Sequence, residues 1–201
     1  MAQTSISVEQ VKELRERTGA GMMDCKRALE ESGGDLDKAV ALLRERGQAA
    51  AARKAGREAR DGLVASYIHP GGRLGVLIEV NSETDFVARN EEFQQLVRDL
   101  AMQVAGLAPE YVSIDTIPPD VLEAKRSELA TDEGLLAKPE HVRGKIIEGQ
   151  LRKWYQAVVL YEQPFRDTDQ TVEQLVTDAV ARIGENIRVR RFVRYQLGEE
   201  L

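Results

Sequence analysis

The residue types that most often carry chemistry are scarce in this chain, and their spacing points to no reaction. The two histidines are His69, which follows an apolar run into Pro70-Gly71-Gly72, and His141, in a polar stretch. Neither has a carboxylate or thiol at metal-ligand spacing, so neither a zinc site nor a catalytic histidine is expected. The single cysteine, Cys25, excludes an internal disulfide and a cysteine-based zinc site. Its helical spacing with Met22 and Leu29 reads as a small packed thiol, because a reactive thiol needs exposure and a lowered pKa. There is no Gly-x-Ser-x-Gly elbow, no phosphate loop with Gly-Lys-Ser/Thr and no Rossmann glycine fingerprint. Gly71-Gly72 is a turn, since no helix start follows it to complete a phosphate cradle. The expectation is a protein without bond chemistry of its own, without cofactor and without metal.

Two stretches suit contact instead. The first is Asn81-Ser82-Glu83-Thr84-Asp85-Phe86-Val87-Ala88-Arg89-Asn90, where a strand pattern gives way to a helix pattern. Asp85 or Ser82 could bond the N–H groups that a helix start leaves unpaired. Phe86 has two readings: in register with Phe93 and Val97 it belongs to the core, and at an exposed turn it enters a partner. The second stretch is Met22-Met23. Adjacent helical residues point in different directions, so either both are covered or one packs inside while the other offers an adaptable apolar surface.

The elements that position these residues follow from periodicity. Ser7 caps a helix with Val8, Val11 and Leu14 on one face, and Gly19-Ala20-Gly21 ends it. A second helix carries Met22, Cys25 and Leu29 to Ser32-Gly33-Gly34. Asp35 caps a third, with Leu36, Val40 and Leu43 inward and Gly47 as its terminator. Residues 1–48 thus form a three-helix bundle, small for independent stability. The alanine-rich, basic residues 49–61 read as a partly helical linker, and residues 62–201 as an α+β core.

Within that core, Leu63 to His69 and Leu74 to Val80 form a hairpin around Pro70-Gly71-Gly72-Arg73. Phe86, Phe93, Val97, Leu100 and Val104 mark one stripe of a long helix. Pro118-Pro119 opens another helix, Thr131 to Glu140 is a polar loop, and a strong helix runs from Val142 through Trp154 to Val158. Thr168 or Asp169 caps a helix that Gly184 stops. The last element, Ile187 to Leu197, is a strand with Ile187, Val189, Val193, Tyr195 and Leu197 on one side and Arg188, Arg190 and Arg194 on the other; Arg191 breaks the pattern. Two hairpin strands and a distant third, among helices, give α+β with about three antiparallel strands.

The totals are compatible with this plan. The 201 residues suit one sizeable domain plus a small one, and a chain of this length hides roughly 70% of its unfolded surface without staples. Hydrophobic residues make up 42% and charged residues 31%, with a formal net charge of −6. That charge argues against nucleic-acid binding over the whole surface, leaving Arg53–Arg60 and Arg188, Arg190 and Arg194 as a local alternative. With no signal-like N-terminus, no apolar run of about 20 residues and little cysteine, the expected setting is cytoplasmic and soluble.

Gly19-Ala20-Gly21-Met22-Met23-Asp24-Cys25-Lys26 and the Asn81–Asn90 stretch closely resemble segments of the bacterial translation elongation factor Ts family. Glu148-Gly149, Glu162-Gln163-Pro164-Phe165 and the arginine-bearing strand from Asn186 match it too, so the resemblance covers essentially the whole chain. It implies a guanine nucleotide exchange factor of elongation factor Tu, the GTPase that delivers aminoacyl-tRNA. The small bundle is then similar to a ubiquitin-associated domain and docks on the GTPase's nucleotide-binding domain through Met22, Met23 and Lys26. Thr84, Asp85, Phe86 and Val87 enter the same domain and disturb its magnesium and phosphate site. Longer members carry a duplicated core; this chain has one unit, and its short form resembles members that pair as homodimers, which implies an isologous interface through the sheet.

Overall fold

The computed structural model describes residues 6–131, 139–166 and 168–200. The chain opens with α1 (Val8–Thr18), α2 (Met22–Glu31) and α3 (Leu36–Lys54). Ser7 starts α1 with a reciprocal box: its hydroxyl accepts from the Gln10 N–H, and the Gln10 side-chain oxygen accepts from the Ser7 N–H. Gly19, at φ 67°, ends α1 in the left-handed region where a side chain is disfavoured. The Asp35 carboxylate accepts from the Lys38 N–H to start α3. Val11, Leu14, Cys25, Ala28, Leu29 and Ala39 form the sealed centre of the bundle.

Gly47 does not end the third helix, which runs on through the alanine stretch to Lys54. Glycine within a helix costs only about 1 kcal/mol against alanine, and the alanines on either side favour continuation. The glycine serves close packing: a Cβ there would lie 3.3 Å from the Cβ of Ala181, on α8 (Val172–Ile183).

The hairpin forms as expected, with β1 (Asp61–Ile68) and β2 (Leu74–Ser82) joined through Gly71 and Gly72 at φ 94° and 69°. The third strand, β3 (Arg188–Gln196), lies beside β2, giving an antiparallel sheet in the order β1-β2-β3 and the expected α+β class. Val76, Ile78, Val80 and Val189 occupy its sealed face.

The side assignment of β3 holds only for its first half. Alternation slips by one residue at Arg190-Arg191, which are both exposed and both ion-paired to Glu79, at 3.5 and 2.8 Å. This change of alternation accounts for Arg191, whose side chain is turned out to the Glu79 carboxylate. Past this pair Val193, Tyr195 and Leu197 face solvent. Arg194 turns inward, donating to the Ala105 carbonyl at 3.4 Å and pairing with Glu199 at 3.2 Å.

After β2 come α4 (Asp85–Ala88), α5 (Glu91–Leu107), α6 (Pro119–Ala130) and α7 (Glu140–Val158). Most of the expected polar loop before α7, residues 132–138 with Gly134, lies outside the described residues. α8 is capped by Thr171, not by Thr168 or Asp169: the Gln174 N–H donates to the Thr171 hydroxyl at 3.2 Å, and the Thr171 N–H to the Gln174 side chain at 3.0 Å. Between α7 and α8 the buried Gln163 staples three segments. Its amide donates to the Leu107 and Ala157 carbonyls, and its oxygen accepts from Gln103. The Glu162-Gln163-Pro164-Phe165 motif is therefore architectural, since a buried amide is retained only when its partners are satisfied.

The described residues fall into two compact units. One holds the chain up to Gly62 with Asn81–Gln94 and Val176–Arg188; the other holds Leu63–Val80, the described part of 95–175, and the chain from Val189. Among the described residues no helix is long and apolar enough to cross a membrane.

Candidate partner-binding site

The Asn81–Asn90 stretch is shaped by a break that periodicity did not reveal. The expected single long helix is two, α4 and α5, separated at Asn90. Asn90 starts α5 by accepting from the Glu92 N–H through its side chain at 2.7 Å and from the Gln94 N–H through its carbonyl at 3.0 Å. An Asn at a helix start satisfies donors that the preceding turn cannot. The break removes Phe86 from the α5 stripe. Phe93, Leu96, Val97, Leu100 and Val104 are buried, whereas Phe86 is 77% exposed. Val87 and Ala88, not Phe86, anchor α4.

Asp85 is exposed beside Phe86 and is ion-paired to Arg89 one turn later, at 2.8 Å. Neither expected cap operates at this helix start. Asp85 holds Arg89, and the Ser82 hydroxyl donates to the Thr84 carbonyl at 3.0 Å. Thr84 begins α4 at φ −132°, ψ 157° without a side-chain cap bond.

The support comes from across the fold, from residues that sequence reasoning assigned no role. The Glu185 carboxylate accepts from the Glu83 N–H at 3.1 Å, the Thr84 N–H at 3.0 Å and the Thr84 hydroxyl at 2.7 Å. In return the Glu83 carboxylate accepts from the Asn186 N–H at 2.6 Å and lies 3.5 Å from Arg57. Asn186 is buried, its amide donating to the Arg57 carbonyl at 2.7 Å and the Ala55 carbonyl at 3.4 Å. One signal in the sequence was available. Glu185 follows the helix-stopping Gly184, where the dipole of α8 disfavours an anion, so a carboxylate there must find donors elsewhere.

In the bundle, Met22 and Met23 are both exposed, 44% and 67%, at the start of α2. Met22 therefore leaves the face that Cys25 and Leu29 share. Lys26 is half exposed and lies 3.7 Å from Glu30. Cys25 is fully buried, and that burial pushes its thiol up, away from the reactive thiolate. Met22, Met23 and the Thr84–Val87 motif belong to the same compact unit. Arg182 of α8 spans part of the way: its side chain packs where a Cβ on Gly19 would be, 2.7 Å from Cδ, and its guanidinium pairs with Glu92 at the start of α5.

The strand arginines of the alternative patch have partners of their own. Arg190 and Arg191 share Glu79, Arg194 faces inward, and Arg188 reaches the Ala59 carbonyl at 3.5 Å. His69 bonds the Tyr67 hydroxyl at 3.0 Å, and among the described residues no group of three or more histidine, cysteine, aspartate or glutamate side chains could hold a metal.

Known proteins with this pattern are numerous. A family model described as Elongation factor TS matches residues 7–199. The elongation factor Ts of Synechococcus sp. (strain JA-3-3Ab) is 58% identical over 197 residues, covering 97% of this chain and 70% of that protein. The elongation factors Ts of Carboxydothermus hydrogenoformans and Desulforamulus reducens are 55% and 54% identical, each over 98% of this chain and 91% of their own length. With the family model spanning nearly every residue and relatives above half identity along the same span, the chain belongs to the elongation factor Ts family and is a translation elongation factor.

Proposed function

We propose that this chain is a guanine nucleotide exchange factor: it binds elongation factor Tu carrying GDP, disturbs the GTPase's magnesium and phosphate site, and releases the nucleotide. It performs no bond chemistry and acts in the cytoplasm, with no nucleic acid or membrane as partner. The observation that carries this reading is the exposure of Phe86, a large apolar ring held out at a pinned turn beside a carboxylate. With the exposed Met22 and Met23 in the same compact unit, the ring gives that unit large apolar side chains that a partner can cover.

Exchange needs only differential binding. A factor that prefers the nucleotide-free GTPase weakens nucleotide binding by the same ratio. The Phe86 ring wedges between elements of the GTPase, and Asp85 brings a carboxylate toward the groups that hold the magnesium ion and its waters. The Arg89 ion pair that Asp85 gives up is solvent-exposed, and such pairs contribute about 0–1 kcal/mol, so its release is cheap. The N-terminal helical bundle, similar to a ubiquitin-associated domain, docks through Met22, Met23 and Lys26, and the motif at Thr84–Val87 acts from the same compact unit.

The short form works as a homodimer in this reading. The outer sheet face presents Val64, Ile68, Leu77, Val193, Tyr195 and Leu197 to solvent, the last three through the change of alternation in the last strand. Exposed apolar side chains on all three strands suit isologous pairing with a second copy. The deciding experiment for exchange is release of fluorescent GDP from purified elongation factor Tu: adding this protein should accelerate release at catalytic amounts. An unchanged rate at saturating factor would refute the proposal.

A further inference from the structure

We infer that Glu185 is a positioning residue for the exchange motif: by clamping Glu83 and Thr84 it holds Asp85 and Phe86 in the orientation that engages the partner. The inference rests on the exchange function proposed above. The clamp lies just past the ends of β2 and β3, where backbone pairing stops. There two side chains take over from the ladder. Glu185 receives two backbone N–H groups and a hydroxyl from residues 83 and 84, and Glu83 receives the N–H of residue 186.

Three features show that the motif's geometry depends on this arrangement. First, α4 is only four residues long, far below the length at which a helix sustains itself. Its orientation must come from its ends. Val87 and Ala88 secure one end by burial, and Thr84 secures the other through Glu185. Second, Thr84 stands at the position where threonine ordinarily caps its own helix, yet its hydroxyl is turned to Glu185 and α4 has no side-chain cap bond. Third, the base of the clamp is itself fixed. Gly184, at φ 91°, turns the chain out of α8, and buried Asn186 ties the turn to the Ala55 and Arg57 carbonyls. Glu185 therefore acts from a rigid mount onto a segment that has little rigidity of its own.

Without the carboxylate, the Glu83 and Thr84 N–H groups lose their partner and α4 samples other orientations. A wedge that is competent only part of the time acts in proportion to that fraction, so the effect falls on the exchange step. Docking through the exposed methionines is untouched.

The test is stimulated GDP release from elongation factor Tu as a function of factor concentration, with folding checked by circular dichroism. Glu185→Ala should lower the maximal rate about tenfold while the half-saturating concentration moves by less than about threefold, because preorganisation and not docking is lost. Glu185→Gln keeps an oxygen for the two N–H groups and should retain most of the rate. Glu185→Asp, one methylene shorter, should fall toward the alanine variant and serves if alanine impairs folding. In a Phe86→Ala background, Glu185→Ala should cause little further loss, since both act through one wedge. A parental maximal rate in folded Glu185→Ala or Glu185→Asp would overturn the inference, as would fully additive losses. If the unmodified protein releases no GDP, the exchange reading fails, and this inference with it. If the protein is active and Phe86→Ala is slow while the Glu185 variants are not, only the positioning role fails. Amide hydrogen exchange without any partner gives a second readout: Glu83 and Thr84 should lose protection in Glu185→Ala, and unchanged protection would refute the clamp.

Discussion

Replacing Phe86 by alanine separates a partner wedge from a core residue in one experiment. A phenylalanine side chain carries about 200 Å² of surface. With 77% of the residue exposed, roughly 150 Å² is available to a partner. At about 25 cal/mol per Å² that is a gross gain of ~4 kcal/mol, and the alanine methyl would keep about a third of it. Subtracting the cost of ordering the ring, ~0.5–1 kcal/mol, leaves a loss of about 2 kcal/mol on truncation. That corresponds to roughly 30-fold in stimulated GDP release, at about 1.4 kcal/mol per factor of ten. The isolated protein should hardly notice, because exposed positions away from special features change stability by about 0.5 kcal/mol or less. Fluorescent GDP release and urea unfolding of the same variant give both numbers. A variant destabilised by more than about 2 kcal/mol would place the ring in the core. A stable variant with parental exchange would refute the wedge.

Further outcomes follow from the same geometry. Met22→Glu should raise the factor concentration needed for half-maximal GDP release and leave the maximal rate unchanged, since the methionine lies on the exposed start of α2 and is not part of the motif. Leu77→Glu, on the outer sheet face, should shift the protein from twice the chain mass to the single-chain mass in analytical ultracentrifugation while keeping its circular dichroism; an unmodified protein that sediments as a monomer would refute the sheet-mediated dimer. Burial, followed by the nearby Glu173, holds the Glu162 carboxyl above the ordinary carboxylate range, with Arg152 opposing. Its folded form thus favours the proton, so the stability it contributes is present below the ordinary carboxylate pKa and lost as pH rises through the raised one. Glu162→Gln should therefore melt higher than the parent at neutral pH, and the gap should close on acidification; a constant gap would show that packing, not ionisation, is responsible.

Local signals carried well where one residue's own chemistry decided the outcome. Ser7 and Asp35 cap their helices as their side chains dictate, Gly19 ends α1, and Gly71-Gly72 turns the hairpin. They failed where one residue was read apart from its surroundings. Gly47 looked like a stop, but the alanines that follow carry the helix on, and the missing side chain leaves room for Ala181. The apolar alternation of the last strand looked uniform, but it reverses after two successive exposed arginines that share Glu79 on β2.

The motif shows the same division. The pattern of amino acids by itself established that Asp85 and Phe86 stand where a strand passes into a helix, and that the methionines of α2 point in more than one direction. It left Phe86 with two environments, because helical period alone cannot locate a break in a run of helix-compatible residues. The tertiary structure decided between them: Asn90 restarts the helix, Val87 and Ala88 take the interior, and Phe86 is left outside. Glu185, a hundred residues downstream, became a neighbour of Thr84 only through the pairing of β3 with β2. Local chemistry is written within a turn or two of chain, whereas the partner of a carboxylate is set by which strands lie side by side.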